Sequence, residues 1–547
     1  MILQEKNVIP HPGLSRMGDV VLVLCVLLAG TVFPRLMMVG GLPATDECFY
    51  AFVAQWIHHS VVTGQGIPDT GGLSFYPMLF FWVFDLGYNP IIALRFADLC
   101  VAVLTSFFLY KILEKESGNK VGAVLIALIF TFTMNQLAFI DYGFKNSIMA
   151  AFAPLFLAIR IGQQIVQDKR SDLVENCNNA WLMVGALTAL AVVLREALVV
   201  FAVLGLIVVF VVSGRKAALR FFLGGTVTGI LLIGSILLAR GGVMEVISAY
   251  RDMGFIFGFA QDTVADYFAH YGLMAIKEAS VALCLSMLAI FILVLIAIVR
   301  RSKRIALGLL FWLLFVGFAL IEPAAKIGAA YHFAMTLPGF AGICALAVRE
   351  VAYEWQSLSW ANRERRDAIV LLGVTLSVIW FSFESSALSR TWWPQTQETL
   401  VAAPNGAWAE ESINATNYLL AAQEIKKVMP ENGTLSTSGY MHSLYPLTGH
   451  LPPSSQLGSL SLIALKSGLS VPRIQEVLMD CAPDVIMLYL RDDGGFTGYG
   501  HQEILAAVMG TGIYEAVTEI PVARRGYGLF INGVIFRKTK ETNCLVK

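Results

Sequence analysis

Ala44-Thr45-Asp46-Glu47-Cys48-Phe49-Tyr50 follows directly on the first long apolar segment of the chain, about Asp19 to Val39. Two adjacent carboxylates therefore stand where the chain has just left a bilayer. Behind them Phe49, Phe52, Val53, Trp56, Ile57 and Val61 repeat at helical spacing, with Gln55, His58 and His59 on the other side. That periodicity predicts an amphipathic helix lying in the membrane interface plane, which would hold the carboxylates at the level of lipid head groups. Two readings are open at this point. Thr45 or Asp46 is a helix cap, with Glu47 placed against the positive end of the dipole; or the carboxylates do acid–base work at the membrane surface.

Composition narrows the choice. Of 547 residues, 57% are hydrophobic and only 14% charged, and the mean hydropathy is +0.68. A soluble domain is nearer one quarter charged, so the chain reads as a polytopic membrane protein carrying some soluble mass. A net charge of zero gives no electrostatic footprint for nucleic acid. The eight cysteines are scattered, and no pair has metal-ligand spacing. Cys48, Cys481 and Cys544 are placed to meet an oxidising compartment, where the last two could pair. Met1 to Gly18 is polar, and no small-residue cleavage site follows the first apolar run, which is read as a retained helix.

Eleven apolar segments are predicted to span: about Asp19 to Val39, Pro90 to Leu113, Lys120 to Phe139, Ser147 to Val166, Ala180 to Leu194, a sixth ending near Val212, Phe221 to Ala239, Ala279 to Val299, Ile305 to Ile321, Tyr331 to Val348, and Ile369 to Phe383. Pro77 to Phe84 is too short to cross and reads as a second interfacial element. Gly241 to Glu278 reads as a long loop. Alternate loops carry Lys111, Lys115 and Lys120; Lys169 and Arg170; Arg215, Lys216 and Arg220; Arg300, Arg301, Lys303 and Arg304; and Arg349, Arg363, Arg365 and Arg366. These are predicted to be cytoplasmic. The Asp46 loop then faces outward, and an odd number of spans puts the C-terminal region on the same side. The division predicted is a membrane domain of residues 1–385 and an outer, periplasmic α/β domain of residues 386–547. Within the latter, Ala415 to Met429 and Pro472 to Cys481 read as helices. Val485 to Leu490 reads as a buried strand, and Tyr514 to Pro521 and Tyr527 to Arg537 as strands turning at Arg525-Gly526.

The unusual polar residues near membrane depth fall on the outward face. Asp141, in Phe139-Ile140-Asp141-Tyr142-Gly143-Phe144-Lys145, is either a helix cap with Lys145 as partner or a second carboxylate for the Asp46 site. Arg195 and Glu196 interrupt an apolar stretch; such a pair is costly at that depth and lines a cavity or pairs with itself. Arg95 lies inside the second segment, where it snorkels or pairs with Asp98. Lys326, Tyr331 and His332 stand at an outer junction next to Glu322-Pro323, with Lys326 and His332 offering charge and donors to a phosphate. In the long outer loop Tyr250, Arg251, Asp252, Tyr267, His270 and Tyr271 mix aromatics with charge.

Together these stretches resemble the GT-C superfamily of polyprenyl-phosphate-sugar glycosyltransferases, above all the branch holding the bacterial aminoarabinose transferases of lipid A and the protein O-mannosyltransferases. The shared pieces are the D-E pair with its following helix (TDECFYAFVAQWI), an aromatic-Pro segment leading to Arg95 (LSFYPMLFFWVFDLGYNPIIALRFADL), an Asp opening the fourth segment (FIDYGFKNSIMAAF), a late outer loop (KIGAAYHFAMTLPGFAGICAL) and an outer C-terminal domain. The resemblance covers about residues 19 to 385. It implies an undecaprenyl-phosphate sugar as donor and inverting transfer to lipid A, another glycan or a protein, in the bacterial inner membrane. In that reading Asp46 is the general base. Glu47 and Asp141 orient the acceptor or hold a divalent metal ion, and Lys326, His332 and Arg195 face the donor phosphate. Tyr76, Arg95 and Tyr331 complete the substrate-binding set. One departure bears on the donor: the aminoarabinose transferases typically carry Lys before the first Pro of the aromatic-Pro segment, and this chain carries Tyr76. The resemblance therefore does not carry the sugar over. The alternative from another class is a transporter or lipid-linked-sugar flippase. It accounts for the helices, but not for polar residues concentrated on one face without internal repeats.

Overall fold

A computed structural model describes residues 16–41, 45–63, 75–136, 147–168, 177–239, 264–325, 330–356, 363–405, 417–439, 441–490, 499–520 and 533–541, with a few single positions between them. The first span begins as helix α1 (Arg16–Leu27), widens into a π turn over Leu28–Val32 and continues as α2 (Phe33–Met38). Pro34 explains the change. It has no N–H to give to the carbonyl one turn back, and the Gly30 oxygen accepts instead from the Asn135 side chain at 3.3 Å.

Helix α3 (Thr45–Thr63) comes next, followed by the short α4 (Phe75–Met78) and a 3-10 turn, Phe81–Leu86, that leaves Leu79, Trp82 and Leu86 exposed. The bundle then continues through α5 (Pro90–Ser117), α6 (Lys120–Met134), α7 (Ser147–Asp168), α8 (Cys177–Leu194), α9 (Val199–Ser213) and α10 (Arg215–Ala239). After these come α11 (Val264–Glu278), α12 (Ser280–Arg300), α13 (Lys303–Ala319), the short α14 (Ile321–Ala325), α15 (Leu337–Gln356) and α16 (Arg363–Ala402). Local sequence sets the boundaries. Asn89 accepts from the N–H groups of Ile91 and Ile92 with Pro90 in the first turn of α5, and Gly118 closes that helix at φ 61°. Asn119, the very next residue, caps α6.

Each of the eleven apolar segments coincides with a helix. Eight described helices are long and apolar enough to cross a membrane, while α6 and the apolar part of α8 are shorter. Three expectations need correction. The third segment stops at Met134 rather than Phe139, where Asn135 turns its side chain back to the Thr131 carbonyl. The long loop is not all loop, because α11 occupies its end. The last segment is a 40-residue helix that runs past Phe383 to Ala402. Its far end is tied to the end of α2: Thr396 Oγ1 accepts from Gly40 N and donates to Met37 O, and Thr399 donates to Gly40 O.

The C-terminal region holds a four-stranded sheet in the order β1-β2-β4-β3, where β1 is Leu435–Thr437, β2 Val485–Tyr489, β3 Tyr514–Ile520 and β4 Gly533–Lys538. β1 and β2 are parallel and the other pairs antiparallel. The predicted buried strand is β2, all five of whose residues are buried. The predicted helices are α17 (Asn417–Val428) and α20 (Val471–Asp480), with the short α18 (Leu444–Thr448) and α19 (Leu460–Lys466) between them, and α21 (His501–Gly510) follows. The Arg525-Gly526 turn lies outside the described residues.

One apolar cluster joins α5, α6, α7, α12, α13 and α15. A second joins α3 and the start of α5 to Tyr418, Leu444, Tyr445, Val485, Met487 and Ile535 of the sheet region. This corrects the reading of α3 as an interfacial helix. Every residue from Ala51 to Ile57 is buried, Gln55 included. Its apolar face meets the C-terminal region rather than lipid: Phe52 stacks on Tyr445 at 4.4 Å, and Phe49 packs edge-on to His442. The first loop and the sheet region therefore lie on the same side of the bundle.

Candidate active site

Two buried charge networks stand out, the first of them anchored on the first turn of α3. In the first, Glu47 is fully buried and both its oxygens are held by Arg95, Nε at 2.5 Å and Nη2 at 2.6 Å. Arg95 Nη1 also donates to the carbonyls of Val39 and Gly41 at 2.7 Å each, and the guanidinium lies 5.8 Å from the Trp408 ring. The four bonds tie the chain on both sides of the loop to α5. Arg95 thus pairs with Glu47, not with Asp98 as the sequence suggested. Asp98 instead takes Arg35 and the hydroxyl of Tyr76, and Arg35 Nε donates to Asn135 at 2.5 Å. Tyr76 is fully buried, edge-on to Tyr50 at 6.1 Å. Its burial and the Asp98 charge push its phenol well above the ordinary range, so it stays a donor.

The second network centres on Arg195, which ends α8. Its guanidinium forks onto Glu322, Nη2 to Oε1 and Nε to Oε2 at 3.3 Å, and Nη1 donates to Ser147 at 2.8 Å. His332 Nδ1 lies 3.0 Å from Glu322 Oε1 and 3.1 Å from Arg195 Nη2. Arg195 also stands 6.0 Å from the Tyr331 ring, which packs on His332. The partner of Arg195 thus comes from α14, 127 residues away, rather than from Glu196 next to it. Tyr50 lies four residues beyond Asp46 on α3, hence on the same helix face.

The structure brings together Arg195, Tyr331 and His332, and separately Glu47 with Arg95; Tyr76 packs on Tyr50 and bonds Asp98. Asp46 sits in the first turn of α3, but its side chain is outside the described residues, as are Asp141 and Lys326 altogether. Sequence reasoning gave Glu322, Ser147 and Tyr50 no role. Only Glu322 carried a signal, as an ionisable residue closing an apolar run. Among the described residues no three His, Cys, Asp or Glu side chains converge as metal ligands. Glu47 does not fit a metal role, because both its oxygens already face a guanidinium.

Comparison with known proteins agrees with this architecture. No protein-family model matches the chain, and no curated protein does. Among solved structures, ArnT from Cupriavidus metallidurans bound to undecaprenyl phosphate superposes with a TM-score of 0.53 at 11% identity, over 95% of this chain and 98% of that one. The apo form of the same protein gives 0.54 at 12%, with the same coverage. The Archaeoglobus fulgidus oligosaccharyltransferase in complex with Zn and sulfate gives 0.49 at 12%, over 93% of this chain and 73% of that one. The chain is a multi-pass membrane protein with a GT-C-like fold.

Proposed function

We propose that the chain is a membrane glycosyltransferase that moves a sugar from a polyprenyl-phosphate donor, undecaprenyl phosphate in bacteria, to a cell-envelope acceptor with inversion. Residues 1–385 form the catalytic membrane domain, and residues 386–547 an outer domain reached through the continuous α16. One observation carries the reading. Arg195 gathers three separate parts of the chain: its guanidinium is bonded to Ser147 at the start of α7, six residues on from Asp141, is paired with Glu322, and lies beside His332. A base on one side and buried cations on the other is what single displacement at an anomeric carbon requires.

Asp46 takes the acceptor hydroxyl proton, and Arg195, His332 and Lys326 stabilise charge on the leaving phosphate. Tyr331 lines the cradle behind Arg195. Glu47 and Arg95 hold the loop; we assign neither to chemistry and route no step through a metal ion. The disulfide at Cys481 supports an oxidising compartment for the outer domain, hence the periplasmic side. The bound lipid named for ArnT supports the choice of donor lipid.

The test is sugar transfer by purified protein in nanodiscs, with labelled polyprenyl-phosphate sugars and envelope glycolipid or protein acceptors. Asp46→Asn should lose about 10²- to 10⁴-fold in rate with donor saturating, because Asn cannot accept the proton. If Asp46 only caps α3, Asn caps as well and turnover stays near wild type, which overturns the assignment. Lipid-linked sugar moving across vesicles without transfer would favour a flippase.

A further inference from the structure

We propose that Thr396 and Thr399, near the far end of α16, are positioning residues for Asp46: together with Arg95 they hold the backbone that leads into the first loop, and so set where the base stands. This rests on the reading of Asp46 as the general base, and it gives α16 a part in the reaction beyond reaching the outer domain.

A helix leaves its last carbonyls without partners of its own, and buried ones must find them elsewhere. The end of α2 finds them on two helices far away in sequence. Thr396 Oγ1 accepts from Gly40 N at 3.1 Å and donates to Met37 O at 2.7 Å, and Thr399 Oγ1 donates to Gly40 O at 3.2 Å. An amide N–H only donates and a carbonyl only accepts here, so the sense of all three bonds is fixed. Arg95 Nη1 takes the carbonyls of Val39 and Gly41 at 2.7 Å each. The Leu36 and Met38 carbonyls accept locally, from Val39 N at 3.4 Å and Gly41 N at 2.9 Å. Each carbonyl from Leu36 to Gly41 therefore has a partner, and four of the six partners come from α5 and α16. Both threonines are fully buried, so water does not readily replace their bonds. Gly40 permits the approach: a Cβ there would lie 2.4 Å from Thr396 Cα, a backbone atom that cannot swing aside.

Asp46 comes five residues after Gly41, and the residue after it, Glu47, is forked by the same Arg95. The base thus belongs to a short length of chain fixed at both ends. Proton transfer needs the carboxylate within hydrogen-bond reach of the acceptor hydroxyl, and a displacement of about 1 Å caused far from the chemistry costs up to about 10²-fold in rate. Without the threonine hydroxyls the Gly40 end of the loop is released from α16, and Asp46 shifts relative to a cradle whose residues stand on other elements, Arg195 at the end of α8 and His332 in the 3-10 turn Ala330–Thr336. Neither threonine touches a reacting atom.

The experiment combines kinetics with hydrogen exchange on the full chain in nanodiscs. Thr396→Val keeps the branched shape and removes the hydroxyl, whereas Thr396→Ser keeps the hydroxyl and removes the methyl. Thr396→Val should lower kcat about ten- to a hundredfold with donor KM nearly unchanged. Thr396→Ser should recover most of kcat, whatever the loss of its methyl does to the melting temperature. A contact that serves stability alone leaves kcat at the wild-type value in Thr396→Val, or makes kcat follow the melting temperature across the variants; either pattern overturns the proposal. Exchange read at single residues needs no turnover. The Gly40 amide should be protected in wild type and in Thr396→Ser, and exchange about tenfold faster in Thr396→Val; equal exchange in all three also overturns the proposal. If Thr396→Val does not fold, Thr399→Val and Thr399→Ser carry the same comparison of kcat. Failure of the underlying function looks different: wild-type protein then transfers no sugar from any polyprenyl-phosphate donor, while protection of the Gly40 amide still depends on the Thr396 hydroxyl.

Discussion

Glu47 and Asp46 are neighbours in sequence, and the structure gives them separable consequences. Glu47 is fully buried with Arg95 on both oxygens, and Arg95 also gathers the Val39 and Gly41 carbonyls. Removing one member of such a pair leaves the other buried and uncompensated, at about 3–5 kcal/mol. Glu47→Ala and Arg95→Ala should each lower thermal stability clearly, and the double variant should lose much less than the sum of the two. Additive losses in a double-mutant cycle would show that the pair is not coupled. Asp46→Asn should leave the melting temperature near wild type while transfer is lost. Little of this division was legible in the sequence. The D-E pair marked the place, but Arg95 lies 48 residues on and had a nearer carboxylate, Asp98, that turned out to serve Arg35 and Tyr76. Arg195 was the same case: Glu196 beside it was the obvious partner, and Glu322 across the bundle is the one the fold supplies.

At the scale of the element, the helices were the legible part, because a long apolar run can hide its backbone polar groups in lipid only as a helix. What the runs did not tell was how helices approach each other. α8 and α10 touch backbone to backbone: a Cβ added at Gly185 would lie 1.9 Å from the Phe221 carbonyl oxygen, and one at Gly224 would lie 2.0 Å from that of Leu182. Neither neighbour is a flexible side-chain end, so the helices themselves must move apart. Close approach through small residues is a main source of attraction between helices in lipid. Gly224→Ala should therefore reduce the melting temperature and, since α8 ends at Arg195, weaken donor binding as well. Gly229 is the control, because nothing lies within 4 Å of its added Cβ; Gly229→Ala should behave as wild type. Equal behaviour of the two variants would mean that the helices do not meet as described. The strands show the opposite limit. β2 was readable from five apolar residues in a row, whereas β1 has only three residues and no periodicity to find.

At the scale of the molecule, the sheet region and the first loop share one core, although nearly 400 residues separate them in the chain. This is why α3 could not be read correctly from its own sequence. Its apolar stripe looked like a lipid-facing stripe, and only the distant Tyr445 and His442 show what covers it. If the basic loops are cytoplasmic, the whole region lies outside, and a reporter fused after Thr542 should be active only when it functions in the periplasm. The seam between loop and sheet region should also respond to acid through His442. This ring is packed among Phe49, Phe52 and Tyr445, and burial lowers its basicity from 6.5 to about 4. The unfolded chain binds a proton to it below about pH 6.5, whereas the folded chain resists until about pH 4. Stability due to this group is therefore complete above pH 6.5 and is lost progressively as pH falls to about 4. The total is on the order of 3 kcal/mol, from the shift and about 1.4 kcal/mol per unit. His442→Phe cannot titrate, so unfolding measured from pH 7 down to pH 4 should fall less steeply than in wild type, the two curves separating below about pH 6.5. Transfer activity should decline reversibly over the same interval in wild type if the seam holds α3 in place for the reaction. Parallel stability curves for the two proteins would mean that His442 is not buried neutral between the loop and the sheet region.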